Sequence, residues 1–295
     1  MLNNSMKSIS GLKYLILLFL LTIISGCATN SVNTEDVQSE TSKLEAAEKA
    51  AERLYRSKAY EDALVKYVSV INLDPLNENA YVKIGIIHDF MKSYTLAAKA
   101  YTKALQINSE NITAREGLGV VLLRYGKRDD AQEVLEKLVQ EHPDRWKANN
   151  SLGVIYDMKK NHIKAVSFYS KALEDNPNDT EILNNMGYSY YLAGNYETAE
   201  QYFLKSIRAS NDFDKAWSNL GLLYARKNDF KKSLIAFSHF METHEASNQV
   251  GYLCMLSGDY KNSELYFKKA IISAPYYYEA AHLNLNRLNI MKSSL

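Results

Sequence analysis

From residue 44 onward, small and apolar side chains return at a fixed interval. Glycine stands at 85, 119, 153, 187 and 221, each 34 residues after the last. A small residue keeps step at Ala63, Ala97, Ala131, Ala165, Ala199 and Ser233. An aromatic or leucyl side chain follows four later, at Tyr67, Tyr101, Leu135, Tyr169, Phe203 and Phe237, and three beyond these come Val70, Ala104, Leu138, Ala172, Ser206 and Phe240. Spacings of four and three place such residues on one face of a helix. If each unit starts seven residues before its glycine, the chain's four prolines, Pro75, Pro143, Pro177 and Pro275, all occupy position 32 of a unit. Proline lacks a donor and clashes with the preceding turn, so it ends a helix and sets the corner to the next unit. The pattern predicts an all-α chain of stacked helix pairs, each with an apolar face that only its neighbours cover.

A 34-residue period carrying these residues resembles the tetratricopeptide repeat. The resemblance implies a superhelical solenoid over 44–295, with repeats near 44–77, 78–111, 112–145, 146–179, 180–213, 214–243 and 244–277 and a capping helix near 278–291. Gly221 and Gly251 are only 30 residues apart. Four missing residues amount to about one helical turn, which keeps the faces in phase while shortening the second helix or the loop around Met241 to His244. The first repeat has Ala51 in the glycine position, a mild divergence expected of a terminal repeat. Ala281, Leu285 and Leu288 of the last segment are expected to cover the final open face, with Asn284, Asn286, Arg287 and Asn289 outside.

The first 27 residues have another character. Lys7 and Lys13 precede an apolar run of 11 residues, Tyr14 to Ile24, and Ser25-Gly26 lead into Cys27. A bilayer span needs roughly 20 apolar residues, so 1–26 read as a signal peptide rather than an anchor. Ile24-Ser25-Gly26-Cys27 resembles the lipobox of bacterial lipoproteins, which implies removal of 1–26 and acylation of Cys27, palmitate included. Acyl chains contribute about 0.8 kcal/mol per buried CH₂, so three of them fix a protein to the membrane. Ala28 after the cysteine, where the inner-membrane retention pattern has Asp, implies the periplasmic face of the outer membrane. Residues 27–43, rich in Ser, Thr, Asn and acidic side chains, are expected to be a flexible lipidated linker.

Composition narrows the chemistry. Lys and Arg number 35 against 34 Asp and Glu, and loss of Lys7 and Lys13 takes the formal charge from +1 to −1. That balance makes no electrostatic case for nucleic acid. The two cysteines, 27 and 254, are too far apart for a CxxC site, and histidines at 88, 142, 162, 239, 244 and 282 have no ligand spacing, so no metal or other cofactor is expected. No G-x-S-x-G, H-E-x-x-H, P-loop or dinucleotide turn occurs, and the chain reads as non-catalytic. Cys254, at repeat position 11, reads as a small core hydrophobe.

In tetratricopeptide repeats, positions 2, 5, 9, 12 and 13 of the first helix face the concave groove. Position 5 carries Val82, Glu116, Asn150, Asn184, Ser218 and Asn248; positions 9, 12 and 13 carry Ile86, Phe90, Val120, Leu123, Val154, Met158, Tyr188, Tyr191, Leu192, Leu222, Tyr252, Met255 and Leu256. A row of amides and a hydroxyl therefore runs beside an apolar, aromatic strip. Amides pair with a peptide backbone while Tyr, Met and Leu form adaptable pockets. The expected peptide-binding groove is Asn150, Val154, Met158, Asn184, Tyr188, Tyr191, Ser218, Leu222, Asn248 and Tyr252. Asn149 and Asn185, at positions 4 and 6, are expected to bridge neighbouring repeats. Position 5 lacks the lysine with which relatives begin a clamp on a terminal carboxylate.

The stretches Ala246-Ser-Asn-Gln-Val-Gly-Tyr, Leu256-Ser-Gly-Asp-Tyr, Tyr266-Phe-Lys-Lys-Ala-Ile and Ser273-Ala-Pro-Tyr-Tyr-Tyr-Glu-Ala, then Asn284-Leu-Asn-Arg-Leu, resemble the ending of TadD proteins. These are repeat-bearing lipoproteins of the tight-adherence system that assembles Flp pili. The resemblance implies a protein-binding accessory whose partner is an envelope protein, a pilus-assembly component or the secretin, besides the lipid bilayer reached through Cys27. A type IV pilus pilotin-like lipoprotein, an envelope adaptor for peptidoglycan or outer-membrane assembly factors, and an enzyme remain alternatives.

Overall fold

A computed structural model describes residues 34–294; the expected signal peptide 1–26, Cys27 and residues 28–33 of the linker lie outside the described residues. The described residues form 15 α-helices and no strand. The chain divides into two compact units, the first ending at Pro75 and the second beginning at Leu76.

The first unit contains α1 (Thr34–Arg56) and α2 (Tyr60–Leu73). Ala51, Ala63, Tyr67 and Val70 are buried, and the Tyr67 hydroxyl donates to Glu52 at 3.0 Å. Residues 34–43, expected to be flexible, are instead helical, with 39–43 exposed. The physical reason is cooperativity: α1 is already held by its packed residues, and extending a formed helix adds one backbone hydrogen bond per residue without a new nucleus.

The second unit runs through six pairs and a cap: α3 (Glu78–Phe90) with α4 (Tyr94–Ile107), α5 (Ile112–Arg124) with α6 (Arg128–Glu141), and α7 (Trp146–Met158) with α8 (His162–Asp175). Then come α9 (Thr180–Leu192) with α10 (Tyr196–Ala209), and α11 (Asp214–Arg226) with α12 (Phe230–Phe237). A sixth pair, α13 (Thr243–Leu256) with α14 (Tyr260–Ser273), precedes the capping α15 (Glu279–Ser293). With α1 and α2, the chain thus has seven helix pairs and a cap, as the period predicts. Within the second unit, each first helix packs on its own second helix and on the first helix of the next repeat or the cap.

Within a pair, position 8 meets position 24. A Cβ added at Gly187 would lie 2.7 Å from Cδ1 of Phe203, and one at Gly85 would lie 2.7 Å from Cε1 of Tyr101. The small residue at position 20 is fully buried beside this contact in every repeat. Where it is serine, its hydroxyl finds the glycine carbonyl across the crossing, Ser233 to Gly221 and Ser263 to Gly251, both at 2.9 Å. A buried hydroxyl without that partner would cost more than alanine.

The turn between the helices of a pair places one residue in the left-handed region, at 58, 92, 126, 160, 194, 228 and 258. Glycine holds three of these sites; Lys58, Lys92, Lys160 and Asn228 adopt φ near +60°. The next residue's N–H then returns to the helix, as from Asn195 to the Tyr190 carbonyl at 2.9 Å.

The short sixth repeat loses its residues from the second helix. α12 has 8 residues where the other second helices have 14. Phe240 and Met241, in the turns that follow, pack against the cluster of Phe237, Ala246 and Val250, which closes the core without the missing turn. α13 restarts under a capping box of Glu242 and Glu245. At the end, Ala281 and Leu288 of α15 are fully buried, Leu285 packs beside them, and Asn286, Arg287 and Asn289 are exposed. Asn284, expected to lie outside, turns inward to Asn248.

Gly187→Ala should destabilise the fold by about 1–3 kcal/mol, the usual cost of overpacking. Urea unfolding followed by circular dichroism checks this, and an unchanged midpoint would show that the crossing has slack.

Candidate groove on the first helices

The first helices of repeats 4 to 7 begin where a side chain or backbone turn ends the preceding corner. Asp179 caps α9 by accepting from the Ile182 N–H at 2.9 Å. Asn149, fully buried, donates to the Pro143 carbonyl at 2.8 Å and the Arg145 carbonyl at 3.2 Å. Because Pro143 belongs to the third repeat and Asn149 to the fourth, this bond secures the corner into α7 and joins neighbouring repeats.

The amide row is largely consumed by the fold. Asn185 donates to Asn150 at 3.2 Å, Asn219 donates to Asn184 at 2.9 Å, and Asn284 donates to Asn248 at 3.0 Å. Position 5 of one repeat thus accepts from the next first helix. Asn150, Asn184 and Asn248 were expected to present their amides to a peptide; their oxygens are instead occupied by amide donors, and Asn184 is buried. Glu116, in the same row, takes two guanidinium bonds from Arg145, the shorter at 2.8 Å. Val82 is buried in the core cluster with Ala97 and Tyr101. The physical reason is proximity: first helices are direct neighbours, so a short polar side chain between them reaches the adjacent helix before it reaches solvent. Ser218 remains half-buried.

The apolar strip is more open. Met158 is 51% exposed, Tyr188 39%, and Leu192 42%. Tyr188 stacks on Tyr191 with ring centroids 6.0 Å apart, and Tyr191 meets Tyr196 at 5.8 Å. Arg226 donates from Nε to the Tyr196 hydroxyl at 3.3 Å, extending the tyrosine group to α11. Burial raises the pKa of the Tyr191 phenol, so it remains a neutral donor. Val154 packs against the cluster containing Tyr156 and Met186, Leu222 against that of Phe237, and Tyr252 against Met255, Phe267 and Leu288. Met255 itself is buried in that core, whereas Leu256 and Phe90 are exposed. Of the expected groove, therefore, Met158, Tyr188 and Tyr191 form its most available surface, with Val154, Leu222 and Tyr252 as its half-buried floor.

Sequence reasoning did not find two parts of this arrangement. Tyr196 completes the tyrosine group from a second helix, whereas the groove positions were sought on first helices, where Arg226 holds concave position 13. Next to it, Asp157 accepts from Ser189 at 2.8 Å and from the Tyr169 hydroxyl at 3.0 Å, and lies 2.8 Å from His162 Nδ1. Ser189 is fully buried, so this Ser, His and Asp set pins repeat 4 to repeat 5 and offers no accessible nucleophile. Cys254 is fully buried, and burial pushes its thiol up to about 12, which keeps it protonated at neutral pH. Among the described residues no group of acidic, histidine or cysteine side chains has metal-binding geometry, and no helix is long and apolar enough to cross a membrane.

Comparisons with known proteins agree on the architecture. Residues 87–212 match the family described as Psidin, N-terminal TPR repeats region, and residues 244–277 match the family described as Tetratricopeptide repeat. A tetratricopeptide repeat protein from Parabacteroides merdae superposes with a TM-score of 0.60 at 19% identity, covering 83% of this chain and 98% of that one. The structure of pilF from Pseudomonas aeruginosa superposes with a TM-score of 0.55 at 17% identity, covering 86% and 99%. The C-terminal part of a TPR repeat-containing protein from Cytophaga hutchinsonii gives 0.56 at 16%, covering 79% and 98%. At these identities the likeness is one of fold. No curated protein sequence matches the chain. The chain is built of tetratricopeptide repeats, the architecture of protein-binding scaffolds, and such scaffolds are typically non-catalytic.

Asn219→Ala should cost about 1–3 kcal/mol, because it leaves the buried Asn184 oxygen without its donor. The double variant Asn184→Ala/Asn219→Ala should cost less than the sum of the two single changes, and a double-mutant cycle in urea measures the coupling. Strict additivity would show that the bridge carries no energy.

Proposed function

We propose that the chain is a lipid-anchored scaffold on the periplasmic face of the outer membrane that captures a component of a Tad/Flp-type pilus, or its secretin, through the first-helix face of repeats 4 to 6. The observation that carries the capture site is the exposed Tyr188, stacked on Tyr191, with Met158 and Leu192 also exposed on the first helices. Large aromatics at a partly desolvated surface give contact area at low entropic cost, and they dominate interface energies. An apolar side chain of an extended partner segment inserts beside these rings. The backbone amides beside it are served by Ser218 and Arg226 more than by the asparagine row, whose oxygens are already engaged.

The envelope location rests on the Ile24-Ser25-Gly26-Cys27 lipobox and on Ala28, and the pilus assignment on the C-terminal resemblance to TadD proteins. These supports are separate from the groove, so each fails independently.

Tyr188→Ala/Tyr191→Ala should reduce partner recovery after in-cell crosslinking by roughly tenfold or more, given that hot-spot aromatics each contribute about 2 kcal/mol or more. Circular dichroism should show the solenoid still folded. Undiminished recovery would rule out the groove, and a recovered partner unrelated to pili would rule out the pilus assignment alone.

Cys27→Ser should move the protein from the membrane fraction to the soluble periplasm. Persistence of the variant in the outer-membrane fraction would remove the lipid anchor from the reading.

A further inference from the structure

The outer clefts between consecutive repeats are filled to different degrees. At the joint of repeats 3 and 4, position 11 is Tyr156, whose ring stacks on Phe168 with centroids 5.4 Å apart. Its hydroxyl bonds Glu136 and accepts from Gln132 at 3.3 Å, so α7 and α6 meet across the cleft. Position 11 is again tyrosine in the next two repeats. Tyr190 stacks on Tyr202 at 5.6 Å, and the Tyr224 hydroxyl donates to Glu200 of the preceding repeat at 2.8 Å.

The joint of repeats 2 and 3 lacks these fillers on both sides. Position 11 of the third repeat is Leu122, and the residues on α4 corresponding to Gln132 and Glu136 are Ala98 and Thr102. What remains is a cleft of about 540 Å³ with Leu118 and Leu122 along one wall and the half-exposed Tyr125 at its end. Lys99, Lys103 and Lys127 rim it, and no carboxylate lines it. Lys127 lies 3.9 Å from Asp130, an exposed pair, while Lys99 and Lys103 make no ion pair among the described residues. The next three joints, with Tyr156, Tyr190 and Tyr224, show what this shape holds, an aromatic ring; the lysine rim sets the charge of what brings it.

We propose that this cleft is a second docking site, which takes an aromatic side chain from an acidic segment of a partner protein. The ring lies over Leu118 and Leu122, in the place that Tyr156 occupies at the next joint, and flanking carboxylates pair with Lys99 and Lys103. Apolar burial supplies the contact, while the lysines reject basic segments and orient acidic ones. The site shares no residue with the tyrosine strip of repeats 4 to 6, so the two bind independently.

The test uses the full chain and a fluorescent ten-residue peptide with one tyrosine among aspartates and glutamates, followed by fluorescence anisotropy. Two comparison peptides replace the tyrosine by glycine or the acidic residues by lysine. The tyrosine-bearing acidic peptide should bind at least ~10-fold more tightly than either, as expected when a hot-spot ring or its charge partners are removed. Lys99→Glu/Lys103→Glu and Leu122→Tyr, the latter filling the cleft as Tyr156 does, should each weaken binding by a similar factor. Tyr188→Ala/Tyr191→Ala should leave it unchanged. Absence of binding, equal binding of the glycine peptide, or indifference to the lysine pair would overturn the proposal. The lysine variants are exposed and decide the matter even if Leu122→Tyr perturbs folding.

Discussion

The approach of the two helices in each repeat depends on the contact between position 8 and position 24. A bare backbone at Gly187 and its equivalents lets a ring or a leucine lie flat on the first helix, and the fully buried small residue at position 20 lets the second helix close beside it. Dispersion and apolar burial are largest where such surfaces interlock without voids. Since all six repeats of the second unit use the same glycine contact, the faces presented to neighbouring repeats recur in step. The stacked core then follows, because no pair covers its own outer face.

Polar side chains act on this frame as connectors. Three asparagine pairs and the Arg145–Glu116 pair join successive first helices, and Asp157 gathers Ser189, Tyr169 and His162 between repeats 4 and 5. Such groups are stabilising when every member is satisfied and costly when one is removed. They also set function indirectly. They engage the amide oxygens, while Tyr188 and Met158 stay exposed on the same helices.

The fold was legible because its determinants repeat. Seven pairs, the proline corners and the cap could all be read from one interval, and even the four-residue loss announced itself as a break in it. The groove was legible only in part. Of the hydrophobic groove positions, Met158, Tyr188 and Leu192 are exposed while Met255 is buried, because periodicity assigns faces but does not say how near the neighbouring helix lies. Asn150 and Asn184 therefore looked like ligands for a peptide when they serve the next repeat. The pairs 150 with 185 and 184 with 219, each 35 apart, were the available signal. Tyr196 was missed because it begins a second helix, and only packing brings it to Tyr191 and Arg226.

The sequence by itself determined the class of fold, the number of helix pairs, the phase of the short repeat and the identity of the core positions. These are local and periodic properties, set by side-chain size at fixed spacing and by proline's missing donor. Tertiary structure alone decided which polar groups are spent between repeats, that the shortening falls in α12, that α1 reaches back to Thr34, and that an outer cleft stands open where Leu122 faces Ala98 and Thr102. Each of those depends on distances between residues some thirty positions apart, which emerge only when the helices have packed.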